Sequence, residues 1–184
     1  MLELNDITKS FTQQRVLEGI SLNIEPGESV AIMGPSGSGK STLLHCMSGV
    51  LVPDHGEVRF NGRDIASLND ATRSQLRLDH FGFIFQDGQL LPELTAKENV
   101  ALPQIMRGES RSKAHTEATD MLTAALDQAT GHEVMQQITA VAQKFGVTLV
   151  LVTHDPKIAQ WCDRRIEIRD GLIHSEGAAK AVQA

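Results

Sequence analysis

The feature that most constrains the fold of this chain is the stretch GPSGSGKS, at residues 34–41. It fits the pattern G-x-x-x-x-G-K-[ST] in full. The mostly apolar run Ser29–Met33 precedes it and is typical of a strand that is buried on both faces of a parallel sheet. A helix is predicted from Lys40 to Ser48. A buried strand, a glycine-rich loop and a helix in this order predict an α/β protein with a phosphate-binding loop.

Each residue type in the loop has a chemical reason to be there. The glycines let the backbone wrap around a phosphate with its N–H groups pointing inward, and the helix N-terminus adds its dipole. Lys40 places a positive charge on the terminal phosphates, and Ser41 offers a hydroxyl to Mg²⁺. The predicted phosphate-binding residues are Gly34, Pro35, Ser36, Gly37, Ser38, Gly39, Lys40, Ser41 and Thr42.

Composition limits the classes of protein that the chain can belong to. Its 184 residues suit a single domain, which we place at residues 1–184, with a core at 1–175 and a frayed tail at 176–184. A net charge of −6 argues against nucleic-acid binding. Neither a membrane-spanning apolar run nor a signal-peptide pattern is visible. Cys46 and Cys162 are expected to be buried thiols in a reducing cytosol.

Hydrophobic patterns predict further strands and helices. Antiparallel strands are expected early in the chain, more buried strands later, and a hairpin near the end: Leu2–Ile7, Val16–Ile24, Glu57–Phe60, Phe81–Phe85, Val147–Thr153, Arg165–Arg169 and Leu172–Ser175. Helices are expected around Asp70–Leu78, from Ala96, and over Lys113–Leu126 and Thr130–Lys144. Thr95 and Glu98 have the spacing of a capping box, and Asp155-Pro156 is a helix start.

Three further stretches, together with the loop, resemble the ATP-binding subunit of an ABC transporter. Phe11 matches the aromatic residue that stacks on adenine in that family, and Phe85-Gln86 matches the Q-loop. The run Leu149–Asp155 matches the switch strand, which contains His154. Two stretches are similar in sequence to the lipoprotein-release and macrolide-export type of ABC ATPase: FGFIFQDGQLLPELTAKENVALP and GRDIASLNDATRSQLR. The resemblance covers nearly all of Leu2–Gly171.

The resemblance implies a fold, a set of roles and a set of partners. The fold is an α/β P-loop NTPase of the ABC type, with an N-terminal antiparallel β-subdomain, a parallel core sheet and a truncated helical subdomain. Gln86 would lie near Mg²⁺ and the attacking water, with Ser41 as a further metal ligand, and His154 would contact the γ-phosphate of ATP. Expected partners are transmembrane permease subunits and a second ATP-binding subunit, at the cytoplasmic face of the cell membrane.

One part of the family pattern is missing between Ala124 and Leu126. Family members have an LSGGQ-like signature and a Walker B strand before the D-loop, which Ala125-Leu126-Asp127 matches, so Asp127 is the expected D-loop acid. Two apolar stretches that precede an acid could hide Walker B. Val147–Asp155 matches the switch better, and the composition of Met121–Leu126 favours a helix. The sequence therefore predicts a deletion.

The predicted deletion has a structural cost and leaves three interpretations open. If the missing strand lay beside the phosphate-loop strand, its loss would remove roughly 6–12 kcal/mol of apolar burial and expose sheet edges. The first interpretation is an energy-coupling ATPase subunit. The second is a non-hydrolysing remnant, which an internal deletion, a gene-prediction error or laboratory engineering would produce. The third interpretation is a GTPase or small kinase, since residues 79–82 fit D-x-x-G, although no N-K-x-D motif is present.

Overall fold

The structure is a computed structural model that describes residues 1–12, 14–84, 90–126 and 131–179. Contacts divide the chain into two compact units. One comprises Met1–Asn69 and Gly131–Ala184, and the other comprises Asp70–Thr130. The single domain expected from chain length stays a prediction. The described elements, in chain order, are β1 (Leu2–Phe11), β2 (Gln14–Ile24), β3 (Ser29–Met33), α1 (Lys40–Met47), β4 (His55–Phe60), β5 (Arg63–Asp64), α2 (Asp70–His80), α3 (Ala96–Met106), α4 (Arg111–Leu126), α5 (Gly131–Phe145), β6 (Leu149–Val152), α6 (Pro156–Ala159), β7 (Arg164–Arg169) and β8 (Leu172–Ala178).

An antiparallel sheet in the first unit contains the N-terminal strands. Its order is β2-β1-β4-β5, and β1 pairs with β2 from Leu2 opposite Ile24 to Phe11 opposite Gln14. The turn after β4 uses positive φ angles at Asn61 (50°) and Gly62 (79°). Asparagine and glycine tolerate this conformation better than other residues, so Asn61-Gly62 suits the tight turn that follows β4.

A second sheet in the same unit holds the phosphate-loop strand. Its order is β6-β3-β7-β8, where β3 pairs in parallel with β6 and β7, and β7 and β8 form the predicted hairpin. The middle of β3 is fully buried, as the apolar run predicts. Fully buried side chains from this sheet and from α1 include Val30, Ala31, Ile32, Leu43, Ile166 and Ile168.

The strand order corrects the expected place of the missing strand. Because β3 has a parallel neighbour on each side, no gap lies beside it, so the expected exposed edge at β3 is not found, while the deletion itself stays a prediction. Among the described parallel strands, β6 is the one with a single neighbour, because β7 is paired with β8 on its other side. Its residues, Leu149–Val152, are all partly exposed, although every one of them is apolar. The parallel part of the sheet therefore has its open edge at β6.

A second correction concerns Phe81–Phe85, which was expected to be a buried strand. Residues 81–84 form neither a strand nor a helix, and Phe85 lies outside the described residues. Phe81 donates its backbone N–H to the carbonyl of Arg77 at 3.0 Å, which continues the last turn of α2. Ile84 is 79% exposed. An apolar run becomes a strand only when a ladder partner accepts its hydrogen bonds, and periodicity cannot show whether one exists.

Helices make up the second unit. α3 and α4 pack through small buried residues, Ala101, Ala114 and Ala118. The predicted capping box is confirmed, because Thr95 accepts the N–H of Glu98 and the Glu98 carboxylate accepts the N–H of Thr95.

The other boundaries differ slightly from the prediction. α4 remains helical through the suspected junction to Leu126, so the stretch from Met121 is not a Walker B strand. At the C-terminus, β8 continues to Ala178, three residues into the expected tail at 176–184. The N–H of Ala179 still donates to the carbonyl of Asp163 at 3.0 Å.

Among the described residues, no helix is long and apolar enough to cross a membrane.

The hydrogen bonds of β6 show which of its backbone groups face outward. The amides of Leu149 and Thr153 donate to the carbonyls of Glu28 and Ile32, at 3.0 and 3.1 Å. Alternate residues of a strand direct their N–H and C=O groups to opposite sides. The backbone groups of Val150 and Val152 therefore point toward the open edge.

We predict that amide hydrogen exchange alternates along β6. The amides of Val150 and Val152 should exchange at least about tenfold faster than those of Leu149 and Thr153, because only the latter pair is bonded to β3. Residue-resolved exchange measured by NMR tests this. Equal protection of all four amides would show that another segment occupies the edge of β6.

Candidate functional site

The loop between β3 and α1 can be built only with glycine at both of its ends. Gly34 has a φ of 144°, and a Cβ atom there would lie 2.0 Å from the carbonyl oxygen of Ile168. Gly39 has a φ of 98°, and a Cβ atom there would lie 2.7 Å from the carbonyl oxygen of Val16. Backbone atoms cannot move aside at these distances. The loop is therefore packed closely against the neighbouring strands, and glycine is sterically required at these two positions.

Backbone hydrogen bonds hold the middle of the loop. Ser38 is buried, and its N–H donates to the carbonyl of Pro35 at 3.3 Å. Its own carbonyl accepts the N–H of Gly171, and the Gly171 carbonyl accepts the N–H of Glu18 at 2.9 Å. The loop is thus tied to the β7–β8 turn and to β2, so its shape is set before any ligand binds.

Lys40 folds back over this loop. Its ammonium donates to the carbonyl of Pro35 at 2.6 Å and to the hydroxyl of Ser38 at 3.4 Å. Burial lowers the pKa of Lys40 from its usual value, since removing water disfavours the charged form. A phosphate oxygen is a stronger partner for this ammonium than a neutral carbonyl, and its negative charge would raise the pKa again.

The first turn of α1 presents backbone donors that no side chain caps. Gly39 is the N-cap residue and makes no side-chain hydrogen bond, and no acidic residue lies in the first turn. Free N–H groups at a helix N-terminus bind anions, and the helix dipole adds to the attraction. Ser41 is exposed and Thr42 is partly buried within this turn. The geometry of the loop, of Lys40 and of α1 therefore fits a phosphate chain.

His154 and the start of the loop line the same cavity, which has a volume of about 410 Å³. His154 follows β6, and the loop follows β3. Because the carboxyl ends of parallel strands meet at one edge of a sheet, His154 and the loop lie at the same edge. The cavity is lined by Met33, Gly34, Pro35, His154, Arg165 and Glu167.

Two of these lining residues, Arg165 and Glu167, were not predicted from the sequence. Glu167 is paired in register with Met33, the last residue of β3, and so lies next to the loop. Its carboxylate is 2.6 Å from the guanidinium of Arg169, whose hydrogen bond lowers the pKa of Glu167. Their place in the cavity follows from the register between β3 and β7, which the sequence does not show.

Phe11 lies at the end of β1, where β1 turns into β2. Its ring is 45% exposed, and the ammonium of Lys9 lies 5.8 Å from the ring centroid. The structure does not place Phe11 in the cavity of His154. An exposed aromatic face at a strand end can take a stacked base, and the stacking role stays a prediction.

The remaining predicted site residues are not tested by the structure. Gln86 and Asp127 lie outside the described residues. Asp155 caps α6, since one carboxylate oxygen accepts the N–H of Lys157 at 2.8 Å. Within residues 1–12, 14–84, 90–126 and 131–179, no cluster of three or more acidic, histidine or cysteine side chains forms a metal site. Mg²⁺ beside a nucleotide typically takes few protein ligands and uses phosphate oxygens, which fits the exposed Ser41.

A parallel sheet, a glycine-bounded loop with its lysine and an uncapped helix N-terminus define a P-loop protein of the α/β class. The family model described as "ABC transporter" matches residues 17–157. The chain belongs to this family, and within it to the ATP-binding subunits, a class of enzymes that hydrolyse ATP.

Relatives and solved structures agree with this assignment. The chain is 35% identical to the lipoprotein-releasing system ATP-binding protein LolD of Geobacter metallireducens, over 219 aligned residues that cover 94% of this chain and 97% of that protein. It is 37% identical to the macrolide export ATP-binding/permease protein MacB of Marinobacter nauticus, over 97% of this chain but only 35% of that protein. The chain thus spans about a third of this MacB relative. The dimeric post-hydrolysis structure of the ATP-binding cassette MJ0796 bound to ADP and Pi superposes with a TM-score of 0.91, at 29% identity, over 98% of this chain and 100% of that one.

We predict that Lys40→Ala weakens ATP binding by about 10- to 100-fold, because it removes a charge-assisted contact to the terminal phosphates. Isothermal titration calorimetry with ATP measures the change. Lys144→Ala, which removes a lysine at the end of α5, is the matched control and should leave the affinity unchanged. An unchanged ATP affinity in Lys40→Ala would contradict the assignment of the phosphate loop.

Proposed function

We propose that this chain binds ATP with Mg²⁺ at residues 34–42 and serves as the ATP-binding subunit of an ABC transporter. The observation that carries the proposal is the loop itself. Its close packing requires glycine at residues 34 and 39, and the ammonium of Lys40 donates to the backbone carbonyl of Pro35 within it. An anion with several oxygens satisfies the lysine and the uncapped amides of α1 at the same time. Family membership supports ATP as that anion.

Each predicted residue has a role in this proposal. Lys40 binds the terminal phosphates, and Ser41 offers a ligand to Mg²⁺, which would neutralise phosphate charge during hydrolysis. Phe11 stacks on the adenine ring. His154 contacts the γ-phosphate, and the cavity that it shares with Gly34 supports this role. Gln86 near the attacking water and Asp127 in the D-loop complete the set by resemblance to the family.

The proposed partners are permease subunits in the cell membrane and a second ATP-binding subunit. The names of the relatives support the first, because one belongs to a lipoprotein-releasing system and the other is an ATP-binding/permease protein. The MJ0796 cassette supports the second, because its structure is dimeric. The chain would then act at the cytoplasmic face of the membrane and couple ATP to export or to lipoprotein release.

A second candidate function is nucleotide binding without hydrolysis. The alignment with the LolD relative extends over 219 residues, whereas this chain has 184, so that relative has residues where this chain has none. α4 continues without a break through Ala124 and Ala125, where the signature and Walker B are missing by resemblance. The open edge of β6 also supports a missing strand. A chain without Walker B lacks an acid for Mg²⁺ and a group to position water.

The GTPase interpretation has little to support it. Asp79, the first residue of its D-x-x-G motif, lies within α2, and its carboxylate accepts a hydrogen bond from Gln75 at 2.9 Å. Membership of the ABC transporter family also accounts for the phosphate loop. Preference for ATP over GTP in the same calorimetric titration is the expected outcome.

We predict that the purified chain hydrolyses no ATP above background. Inserting the signature helix and Walker B strand of the LolD relative between Ala124 and Ala125 should restore Mg²⁺-dependent hydrolysis, because the flanking segments match their expected loops. A phosphate-release assay measures both proteins. Restored activity should exceed the background by at least about 100-fold, a typical contribution of a general base.

A matched variant of the inserted segment serves as the control. Replacing the glutamate that ends the inserted strand by glutamine should abolish the restored activity, since an amide cannot accept the proton of water. Rapid turnover by the unmodified chain that is lost in Lys40→Ala would overturn the non-hydrolysing candidate. It would show that Asp127 or Asp155 serves the metal instead.

A further inference from the structure

The end of β1 that carries Phe11 loses a neighbouring strand before it ends. Pairing between β1 and β4 stops at Thr8 opposite His55, three residues before Phe11. Asp54 then continues the ladder. Its backbone N–H donates to the carbonyl of Thr8 at 2.8 Å, and its carboxylate accepts the N–H of Ser10 at 2.6 Å.

The same carboxylate also holds a side chain next to the aromatic ring. The ammonium of Lys9 donates to the other oxygen of Asp54 at 2.8 Å, and it lies 5.8 Å from the centroid of the Phe11 ring. Both oxygens of Asp54 are thus used, one for the backbone beside Phe11 and one for Lys9. On its other side, Phe11 is paired with Gln14 across the hairpin. Asp54 therefore constrains the strand end on the side that β4 leaves open.

Asp54 is also tied to the helix of the phosphate loop. It follows α1 after a short connection in which the N–H of Leu51 donates to the carbonyl of His45 at 3.0 Å, and Pro53 is buried. The residue that holds the strand end of Phe11 thus lies three residues beyond Leu51, which is hydrogen-bonded to the helix that begins with Lys40. A change at Asp54 would alter the position of Phe11 without touching the phosphate loop.

We propose that Asp54 is a positioning residue for the nucleotide base. It holds Phe11 at a fixed place relative to the phosphate loop, so that one ATP molecule reaches both. This proposal rests on the proposed function, in which Phe11 stacks on adenine. A ligand with the phosphates of ATP but without the base would not depend on Asp54.

The test compares ATP with inorganic tripolyphosphate by calorimetry on the full chain. Asp54→Ala should weaken ATP binding about three- to tenfold and leave tripolyphosphate binding unchanged, because only stacking is disturbed. Glu57→Ala is the matched control, since Glu57 is a carboxylate on β4 that is paired with Arg59 at 2.8 Å. It should change neither affinity. Equal ATP affinity in Asp54→Ala and the parent chain would overturn the proposal.

A double-mutant cycle separates this proposal from the function on which it rests. Phe11→Ala should weaken ATP binding, and adding Asp54→Ala to it should weaken binding no further, because Asp54 acts through Phe11. If Phe11→Ala has no effect, the stacking role fails and the proposal fails with it. If Phe11→Ala weakens ATP binding but Asp54→Ala does not, only the role of Asp54 is wrong.

A second variant covers the case in which Asp54→Ala binds neither ligand because it does not fold. Asp54→Asn keeps an acceptor for the N–H of Ser10 but loses the charge that holds Lys9. Its ATP affinity should lie between those of the parent chain and Phe11→Ala, again with unchanged tripolyphosphate binding. An Asp54→Asn variant that binds ATP as tightly as the parent chain, or that loses both ligands equally, would overturn the proposal.

Discussion

β3 lies between β6 and β7, and the parallel ladders on its two sides bring the carboxyl ends of three strands to one edge of the sheet. The phosphate loop, His154 and Glu167 meet at this edge because of that register. The contact of Gly34 with the carbonyl of Ile168 shows how closely the loop is fitted to β7. A shift of one residue in either ladder would separate the groups that line the cavity, so the chemistry of the site depends on the position of β3.

The opposite ends of these strands are fixed by polar contacts. The carboxylate of Asp163 accepts hydrogen bonds from the hydroxyl and the N–H of Ser29, and the N–H of Asp163 donates to the Ser29 carbonyl at 2.8 Å. Arg164, the next residue, pairs with Glu28 at 2.9 Å and with Glu176 at 2.8 Å. The contacts of Asp163 with Ser29 and of Arg164 with Glu28 join residues far apart in sequence at the start of β3 and β7. A slip of the ladder would break them together, which makes the register specific.

The sequence was sufficient to predict those features that depend on residues close together in the chain. The strand–loop–helix order around residues 34–39, the capping box at Thr95 and the hairpin of β7 and β8 depend on neighbouring residues, and all three are found as predicted. Features that depend on distant strands were not predictable in the same way. The order β6-β3-β7 placed the open edge at β6 rather than at β3, and residues 81–84 formed no strand although their composition favours one. Glu167 entered the site through register alone.

The place of Ala124 and Ala125 in the chain bears on what a deletion there would cost. The groups proposed to bind ATP, from Phe11 and Lys40 to His154, all lie in one compact unit, and the ladders around β3 are complete. The junction at Ala124 and Ala125 lies in the other unit, within α4. The described hydrogen bonds of the phosphate loop are made within the first unit. We therefore expect nucleotide binding to be retained even if a deletion at this junction removes hydrolysis.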